Sequence, residues 1–428
     1  MKILVLVLLT VAAVCAKHEQ YIGWKSYIVQ PSTLEQVKAL HQLEPELELD
    51  FLSHATTSRE GVVLVKPEHQ ANFIAALAKL EVEYKVHAED IKEKLDFDDF
   101  LIESRNRETR ARNGRSLPYD NYQTLDVIYA YLDEIAAKYP DTVTLVEPAN
   151  SFEGRPIKYL KISTTNFEDR SKPVIFIDGG IHSREWISPP TVTYAIHKLT
   201  EDVTDRYLLE NFDWILLPIV NPDGYKYSHD SSRFWRKTRS TDQHSLSSLC
   251  PGVDGNRNYD FAWNTVGTSN SPCSDIFAGS KPLSEIETQV VAEIINTHLT
   301  RMTLYLTMHS YGSMILYPWG HDGSLSQQAL ALHTVGINMA NAIHERALPN
   351  FPRYQVGNSA LVIQYGASGA SEDYAHFLGV PLSYTYELPG LASGTWGFHL
   401  DPVYIPQVCE ETWAGIAVGA KRSRELFG

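Results

Sequence analysis

From Ser116 onward, short apolar runs alternate with segments of helical periodicity, and no other feature of the sequence constrains the fold as strongly. Four runs are predicted to be strands: Val174–Asp178, Trp214–Val220, Leu304–His309 and Leu382–Glu387. Helices are predicted over Ser188–Leu199, Glu285–His298 and Leu325–Arg346. This alternation predicts an α/β fold built on a mostly parallel or mixed sheet. In such sheets, functional sites lie beyond the carboxyl ends of the strands.

Polar residues follow the predicted strands at these ends. His182 and Glu185 come after the first strand, three residues apart at the start of a helical turn, so their side chains project the same way and could hold one ion. Taken alone, such a pair is more often a surface feature of a helix. A catalytic zinc takes three protein ligands and keeps a fourth position for water. His309 is the best-placed third ligand because it ends another predicted strand, although most strand-end histidines are structural.

The chain before residue 116 has a different pattern. Residues 17–100 are predicted to form strands and helices in the order βαββαβ: Ser26–Val29, Leu34–Leu43, Leu47–Leu52, Val62–Val65, His69–Leu80 and Tyr84–His87. That order is typical of a small ferredoxin-like α+β domain. Residues 101–115 follow as a basic connector without apolar periodicity, which predicts an exposed segment.

The connector contains five arginines, which suit cleavage by a trypsin-like protease. An ordinary interdomain linker is the plain alternative. Because the connector follows a small domain and precedes an enzyme-like constellation, we favour an activation site, with cleavage after Arg110, Arg112 or Arg115. Residues 116–428 then form the catalytic domain.

The first sixteen residues are predicted to be a signal peptide, because Lys2 precedes an apolar run and Val14–Ala16 offers small residues for cleavage before Lys17. No other apolar run is long enough to span a bilayer, so we expect a secreted, soluble protein with no membrane partner and a monomer as the default. The net charge of −15 and the lack of a basic stripe argue against nucleic acid as a partner.

Three cysteines remain after the predicted signal peptide. Cys250 and Cys273 flank a polar loop and are favoured as a disulfide in an oxidising compartment. Pairing of either one with Cys409 is an open alternative. In the favoured arrangement, Cys409 is a small buried hydrophobe.

Seven ordered motifs in the second region resemble those of the secreted zinc metallocarboxypeptidases of the pancreatic A/B family. They are His182–Glu185, Val220–Tyr225, Trp235–Arg239, Asp254–Asn258, His309–Tyr311, Tyr365–Gly369 and Tyr384–Glu387. The resemblance covers the chain from about Ser116 to its end. It implies an eight-stranded mixed sheet flanked by helices, one zinc ion, and a zymogen whose small N-terminal domain is removed by trypsin-like cleavage. It further implies peptide substrates with a free C-terminus, protein inhibitors as partners, and a digestive role.

The resemblance also assigns roles to individual residues. His182, Glu185 and His309 match the zinc ligands. Glu387 matches the glutamate that takes a proton from the attacking water and passes it to the leaving amine. Arg239 resembles the residue that stabilises the oxyanion. The residues matched to substrate binding are Asn256 and Arg257 for the terminal carboxylate, Tyr365 as a closing residue, and Arg184 in the outer cleft.

Substrate specificity depends on Glu372, which falls where family members that cut C-terminal Lys or Arg carry an acid. A buried acid requires a cationic partner, so we expect cleavage of C-terminal Lys and Arg. This acid is Glu where Asp is more familiar in the family, which leaves the choice between Lys and Arg open. If Glu372 instead faces solvent beside Asp373, the enzyme is expected to remove apolar or aromatic residues.

Two other classes are less favoured. A zinc deacylase of this kind of fold has no need for the peptide carboxylate site formed by four residues together, Arg239, Asn256, Arg257 and Tyr365. An inactive peptide-binding relative is expected to lack a zinc ligand or the catalytic glutamate, and this chain retains all four.

Overall fold

The computed structural model describes residues 17–112, 117–390 and 397–428. The described chain forms two compact units, one comprising the residues up to Ala111 together with Lys226–Trp235, and the other Arg112–Tyr225 together with Arg236–Gly428. The predicted signal peptide, residues 1–16, and Arg115 in the predicted connector lie outside the described residues.

The first unit contains a four-stranded antiparallel sheet with the strand order β2-β3-β1-β4. Its elements are β1 (Lys25–Gln30), α1 (Leu34–Glu46), β2 (Asp50–Ser53), β3 (Gly61–Val65), α2 (Gln70–Lys79) and β4 (Glu83–Ala88). The helices bury Leu40 and Phe73 against Val29 and Val63 of the sheet. Short 3₁₀ turns lie at Glu19–Tyr21 and Pro67–His69. The predicted order of strands and helices in this region is therefore observed.

A long helix, α3 (Ile91–Arg112), follows β4. It continues through most of residues 101–115, which were predicted to be an exposed connector without periodic structure. Because charged residues such as Arg and Glu have good helix propensity, a helix can form here without an apolar face. Arg112 is the last residue of this helix.

The second unit is built on the predicted eight-stranded mixed sheet, with the order β11-β10-β12-β9-β7-β8-β6-β5. The strands are β5 (Val143–Val146), β6 (Tyr159–Ile162), β7 (Val174–Gly179), β8 (Asp213–Leu217), β9 (Met302–Ser310), β10 (Met314–Tyr317), β11 (Gln355–Asn358) and β12 (Leu382–Leu388). β12, β9, β7 and β8 are parallel, whereas β5 and β6 pair antiparallel with their neighbours. β10 pairs antiparallel with β12 and parallel with β11.

Helices flank this sheet. They are α4 (Leu125–Lys138), α5 (Ser188–Thr200), α6 (Arg206–Asn211), α7 (Pro222–Asp230), α8 (Ile286–His298), α9 (Ala329–His344), α10 (Ser359–Ile363), α11 (Ser371–Leu378) and α12 (Ile405–Phe427), with 3₁₀ turns at Gly255–Arg257 and Pro402–Tyr404. α7 begins in the second unit and ends within the Lys226–Trp235 segment of the first. Every residue of β7 and β9 is buried, which explains their nearly continuous apolar sequences.

The central parallel strands all end at one edge of the sheet. There the chain turns sharply after β7 at Gly180, whose φ of 66° lies in the left-handed region. A Cβ at Gly180 would come within 3.2 Å of the Pro218 carbonyl oxygen, and this tight contact together with the positive φ favours glycine. This turn carries the chain directly into the predicted metal motif.

Candidate metal centre and active site

Three buried side chains converge at the carboxyl edge of the sheet. His182 and Glu185 lie in the loop that follows β7, and His309 lies near the end of β9. Each is at most 3% exposed, and one ligand atom from each lies within 4.8 Å of the others. Among the described residues, this is the one His/Cys/Asp/Glu group with metal-binding geometry.

The donor atoms fit a tetrahedral zinc ion. The Nδ1 atoms of His182 and His309 are 3.1 Å apart, and Glu185 places one carboxylate oxygen 2.7 Å from the first and the other 3.1 Å from the second. Two ligand atoms at typical Zn–N distances from one tetrahedral ion are about 3.3 Å apart. Two imidazoles and one carboxylate also leave the fourth coordination position for water.

Hydrogen bonds fix the orientation of the ligands. His182 Nε2 donates to Asp254 Oδ1 at 3.0 Å, which leaves the Nδ1 lone pair facing Glu185 and His309. Thr307 Oγ1 lies 3.2 Å from His309 Nε2, and the Ser310 N–H donates to Glu185 Oε2 at 3.1 Å. No role was predicted for Asp254 from the sequence, although it lies in the family-like motif Asp254–Asn258.

Asp254 is a buried carboxylate with positively charged neighbours. Burial favours its neutral form, but Arg236 and His182 hold the pKa of this carboxyl well below its usual range. Burial, and then the positive charge of Arg236, lower the pKa of His182. A neutral His182 is the form that can bind a metal ion.

Arg236, which the sequence analysis did not select, lies beside this group. Its Nε and Nη2 donate to Asp254 Oδ2 at 3.0 and 2.9 Å, and its Nη1 is 3.9 Å from Glu185 Oε1. Arg239, the predicted oxyanion residue, places its Nε 3.4 Å from Glu153 Oε1. Of the two arginines in the Trp235–Arg239 motif, Arg236 is therefore the one that lies beside the predicted metal ligand Glu185.

The backbone around Arg236 is tied to the metal loop. The Ser183 N–H donates to the Arg236 carbonyl at 3.2 Å. Asn221, in the Val220–Tyr225 motif, donates from Nδ2 to the carbonyls of Ile181 at 3.2 Å and Lys237 at 2.9 Å. These bonds give the strand-end asparagine a structural role in joining two loops of the site.

Arg257 and Asn256 lie together in the 3₁₀ turn that Asp254 caps. Arg257 is 6% exposed, and its guanidinium donates to the carbonyls of Gly267 at 2.8 Å and Asn256 at 3.0 Å. No carboxylate of the described chain forms an ion pair with it, which suits a site for an anionic group. Asn256 Oδ1 accepts the Ser371 N–H at 2.9 Å, so its amide NH₂ remains available to donate elsewhere.

Tyr365 lies near Gly267, one of the residues that hold the Arg257 guanidinium. A Cβ at Gly267, whose φ is 63°, would lie 2.8 Å from the Tyr365 hydroxyl. Gly267 is also the residue whose carbonyl accepts a hydrogen bond from Arg257 Nε.

Arg184, the residue predicted to line the outer cleft, is buried. Its guanidinium lies 4.9 Å from the Phe398 ring, and its Nη1 lies 3.8 Å from Asp275 Oδ2.

Glu387 lies on β12, paired in register with His309 of the parallel strand β9. It is less buried than the other residues of its strand. Side chains of residues opposite each other in neighbouring strands project from the same face of the sheet, so Glu387 and the metal ligand His309 share one face.

Glu372 lies in the first turn of α11 and is 3% exposed, so the alternative in which it faces solvent is not observed. Its Oε2 is buried and has no hydrogen-bond partner among the described residues. Burial, and then the neighbouring Asp373, raise the pKa of Glu372 to about 7. Asp373 itself accepts the backbone N–H groups of Gly320 and His321.

The cysteines pair as the favoured arrangement predicts. Cys250 and Cys273 form a disulfide across 23 residues, and Cys409 is a buried free thiol.

Residues 128–415 match the family model described as zinc carboxypeptidase, and residues 27–97 match the model of the carboxypeptidase activation peptide. The chain belongs to the zinc carboxypeptidase family. It therefore combines a zinc-dependent peptidase domain with an activation peptide, as in a zymogen. The predicted family, fold and metal are confirmed.

Individual relatives agree with this assignment. The chain is 67% identical over 423 residues to carboxypeptidase B of Helicoverpa zea, a match that covers 99% of both sequences. Its structure matches the crystal structure of carboxypeptidase A of Helicoverpa armigera with a TM-score of 0.91 at 44% identity, covering 96% of this chain and 100% of that one. It also matches bovine thrombin-activatable fibrinolysis inhibitor in complex with tick carboxypeptidase inhibitor (TM-score 0.65, 32% identity, 72% and 99% coverage).

Proposed function

We propose that this zinc carboxypeptidase removes C-terminal Lys and Arg from peptides. The observation that carries the proposal is the buried Glu372 carboxyl, with one oxygen that has no hydrogen-bond partner among the described residues. A buried carboxylate is costly unless it is paired, and a substrate ammonium or guanidinium supplies the missing charge and donors. The likeness to a relative named carboxypeptidase B supports the same preference.

Arg257 and Asn256 bind the terminal carboxylate in this proposal. The guanidinium of Arg257 is fixed by two backbone carbonyls, and the remaining N–H groups match the planar geometry of a carboxylate. Recognition of a free carboxylate restricts the enzyme to the last peptide bond. Tyr365, close to Gly267, closes over the same group.

Zinc, when bound by His182, Glu185 and His309, supplies Lewis-acid polarisation and lowers the pKa of water. Glu387, on the same face as His309, accepts the proton from the attacking water and donates it to the leaving amine. We propose Arg236, in place of Arg239, as the cation that faces the developing oxyanion, because it is partly buried and its Nη1 lies 3.9 Å from Glu185 Oε1.

The test of specificity is kcat/KM of the trypsin-activated protein on matched peptides that end in Lys, Arg, Phe, Leu or Glu. We expect a strong preference for Lys and Arg that collapses in Glu372→Gln. Preference for Phe or Leu that is unchanged in the variant would establish the apolar specificity instead.

We further propose that the protein is a secreted monomer. A trypsin-like protease activates it by cleavage after Arg112 or Arg115. None of the described helices is long and apolar enough to cross a membrane. Proteinaceous carboxypeptidase inhibitors are proposed as partners, since a bovine relative was solved in complex with one from tick. Incubation with trypsin followed by N-terminal sequencing of the large fragment identifies the cleavage site.

A further inference from the structure

The loop that carries Arg236 is attached to a buried glutamate outside the site. Glu285, immediately before α8, is 2% exposed. Its Oε2 accepts the hydroxyls of Thr238 at 2.6 Å and Ser240 at 2.7 Å. A single carboxylate oxygen therefore holds two alternate residues of the loop, just beyond Arg236.

These hydroxyls are part of a longer chain of hydrogen bonds. Thr238 Oγ1 also accepts the Val253 N–H at 2.9 Å, and the Thr238 N–H donates to the Val253 carbonyl at 2.9 Å. Val253 directly precedes Asp254, the carboxylate that holds the Arg236 guanidinium. The Glu285 contacts thus fix the backbone of the loop, while Asp254 fixes the head group of Arg236.

Glu285 is in turn held by the segment that carries Arg257. Its backbone N–H donates to Asn258 Oδ1 at 3.2 Å, and Ser284 Oγ donates to its Oε1 at 3.0 Å. Asn258 follows Arg257 and donates from Nδ2 to the carbonyls of Ala278 and Lys281. Glu285 therefore lies between the two loops that present cations to the proposed substrate site.

We propose that Glu285 is a positioning residue that sets the placement of Arg236 relative to the reacting peptide bond. The inference rests on the proposed function of Arg236 and extends it to a residue that does not contact substrate. If the loop shifts, Arg236 interacts less strongly with the negative charge that develops on the oxyanion in the transition state. The shift therefore reduces kcat more than it changes KM.

The chemistry of the contacts distinguishes two substitutions. Glu285→Ala leaves the Thr238 and Ser240 hydroxyls buried without this acceptor. Glu285→Gln can still present one oxygen to both hydroxyls, while its amide donates to Ser284 Oγ, which can act as an acceptor. The glutamine variant is therefore expected to preserve the position of the loop.

The first measurement is kcat and KM of the activated protein on a peptide ending in Arg. We expect Glu285→Ala to lower kcat about tenfold or more, a part of the loss seen when an oxyanion donor is removed, with KM changed less than about threefold. Glu285→Gln is expected to remain within about threefold of wild type. The matched control is Glu293→Ala, which removes an exposed glutamate from α8, the helix that Glu285 directly precedes.

A double-mutant cycle tests whether the effect passes through Thr238. If Glu285 acts through this hydroxyl, the Thr238→Val, Glu285→Ala double variant loses no more kcat than the more damaging of the two single variants, so the two effects are not additive. Independent, multiplicative losses would overturn the proposal.

The second measurement does not depend on activity. Amide hydrogen exchange of Thr238 and Gly252, whose N–H groups bond across the loop to Val253 and Ser240, is expected to accelerate in Glu285→Ala and not in Glu285→Gln or Glu293→Ala. If wild type fails to cleave peptides, the proposed function is wrong, and this exchange still tests Glu285. Unchanged exchange and unchanged kcat in folded Glu285→Ala would rule out the positioning role.

Discussion

Glu387 and His309 lie directly opposite each other on the parallel strands β12 and β9. His309 is a proposed metal ligand and Glu387 is the proposed proton carrier. The register of the two strands places these residues side by side. The proposed catalytic geometry therefore depends on strand pairing in the most buried part of the fold.

Glu387→Gln is expected to lower kcat by about 10²–10⁴-fold, because it removes a general base while leaving the metal ligands in place. The measurement is kcat together with the zinc content of the purified protein. A variant that keeps full zinc content and near-wild-type kcat would exclude Glu387 as the proton carrier.

Removal of the metal by a chelator is expected to abolish activity and lower Tm, and added zinc is expected to restore both. An ion that binds only the folded state at a hundred times its Kd adds about 2.7 kcal/mol to the free energy of unfolding. His309→Ala serves as the control, since its Tm should no longer respond to zinc. Equal responses in both proteins would place the metal elsewhere.

Arg236→Ala and Arg239→Ala form a matched pair within one loop. We expect the first to reduce kcat by about 10²–10³-fold, as for the loss of an oxyanion donor, because Arg236 lies beside Glu185 and Asp254. Arg239, which pairs with Glu153, should affect kcat far less. The reverse order of effects would restore Arg239 to the role that the sequence suggested.

The preference for basic residues should depend on pH through Glu372. Since the pKa of this carboxyl is raised to about 7, it is charged above that pH and becomes neutral as the pH falls below it. The ratio of kcat/KM for Arg-ending to Phe-ending peptides is expected to be high and constant at alkaline pH and to decrease below about pH 7. Taking the ratio cancels groups that act on both substrates, such as Glu387. Glu372→Gln should show a low ratio without this pH dependence.

The sequence predicted the central strands and the three metal-binding side chains because buried parallel strands are long apolar runs that end in polar residues. The four-residue strands β5, β6, β10 and β11 were not predicted, since so few residues carry no clear periodicity. Their places in the sheet come from pairing with distant strands, which local sequence does not encode.

The choice between Arg236 and Arg239 shows a similar limit within the site. Both arginines belong to one short motif, and spacing does not distinguish them. What selects Arg236 is the position of Asp254, which is brought to it by the packing of a separate loop. Contacts between segments far apart in sequence therefore support the proposal of Arg236 over Arg239.

The helix α3 extends to Arg112, so two of the three candidate cleavage sites, Arg110 and Arg112, lie in its last turn. Proteases bind their substrates as extended chains, and a peptide bond within a helix must first unwind to enter such a cleft. If activation occurs by cleavage at these two arginines, we expect its rate to depend on fraying of the helix end. The lifetime of the zymogen would then be set by a local helix–coil equilibrium. Substitutions that stabilise the helix would slow activation, and those that destabilise it would accelerate activation.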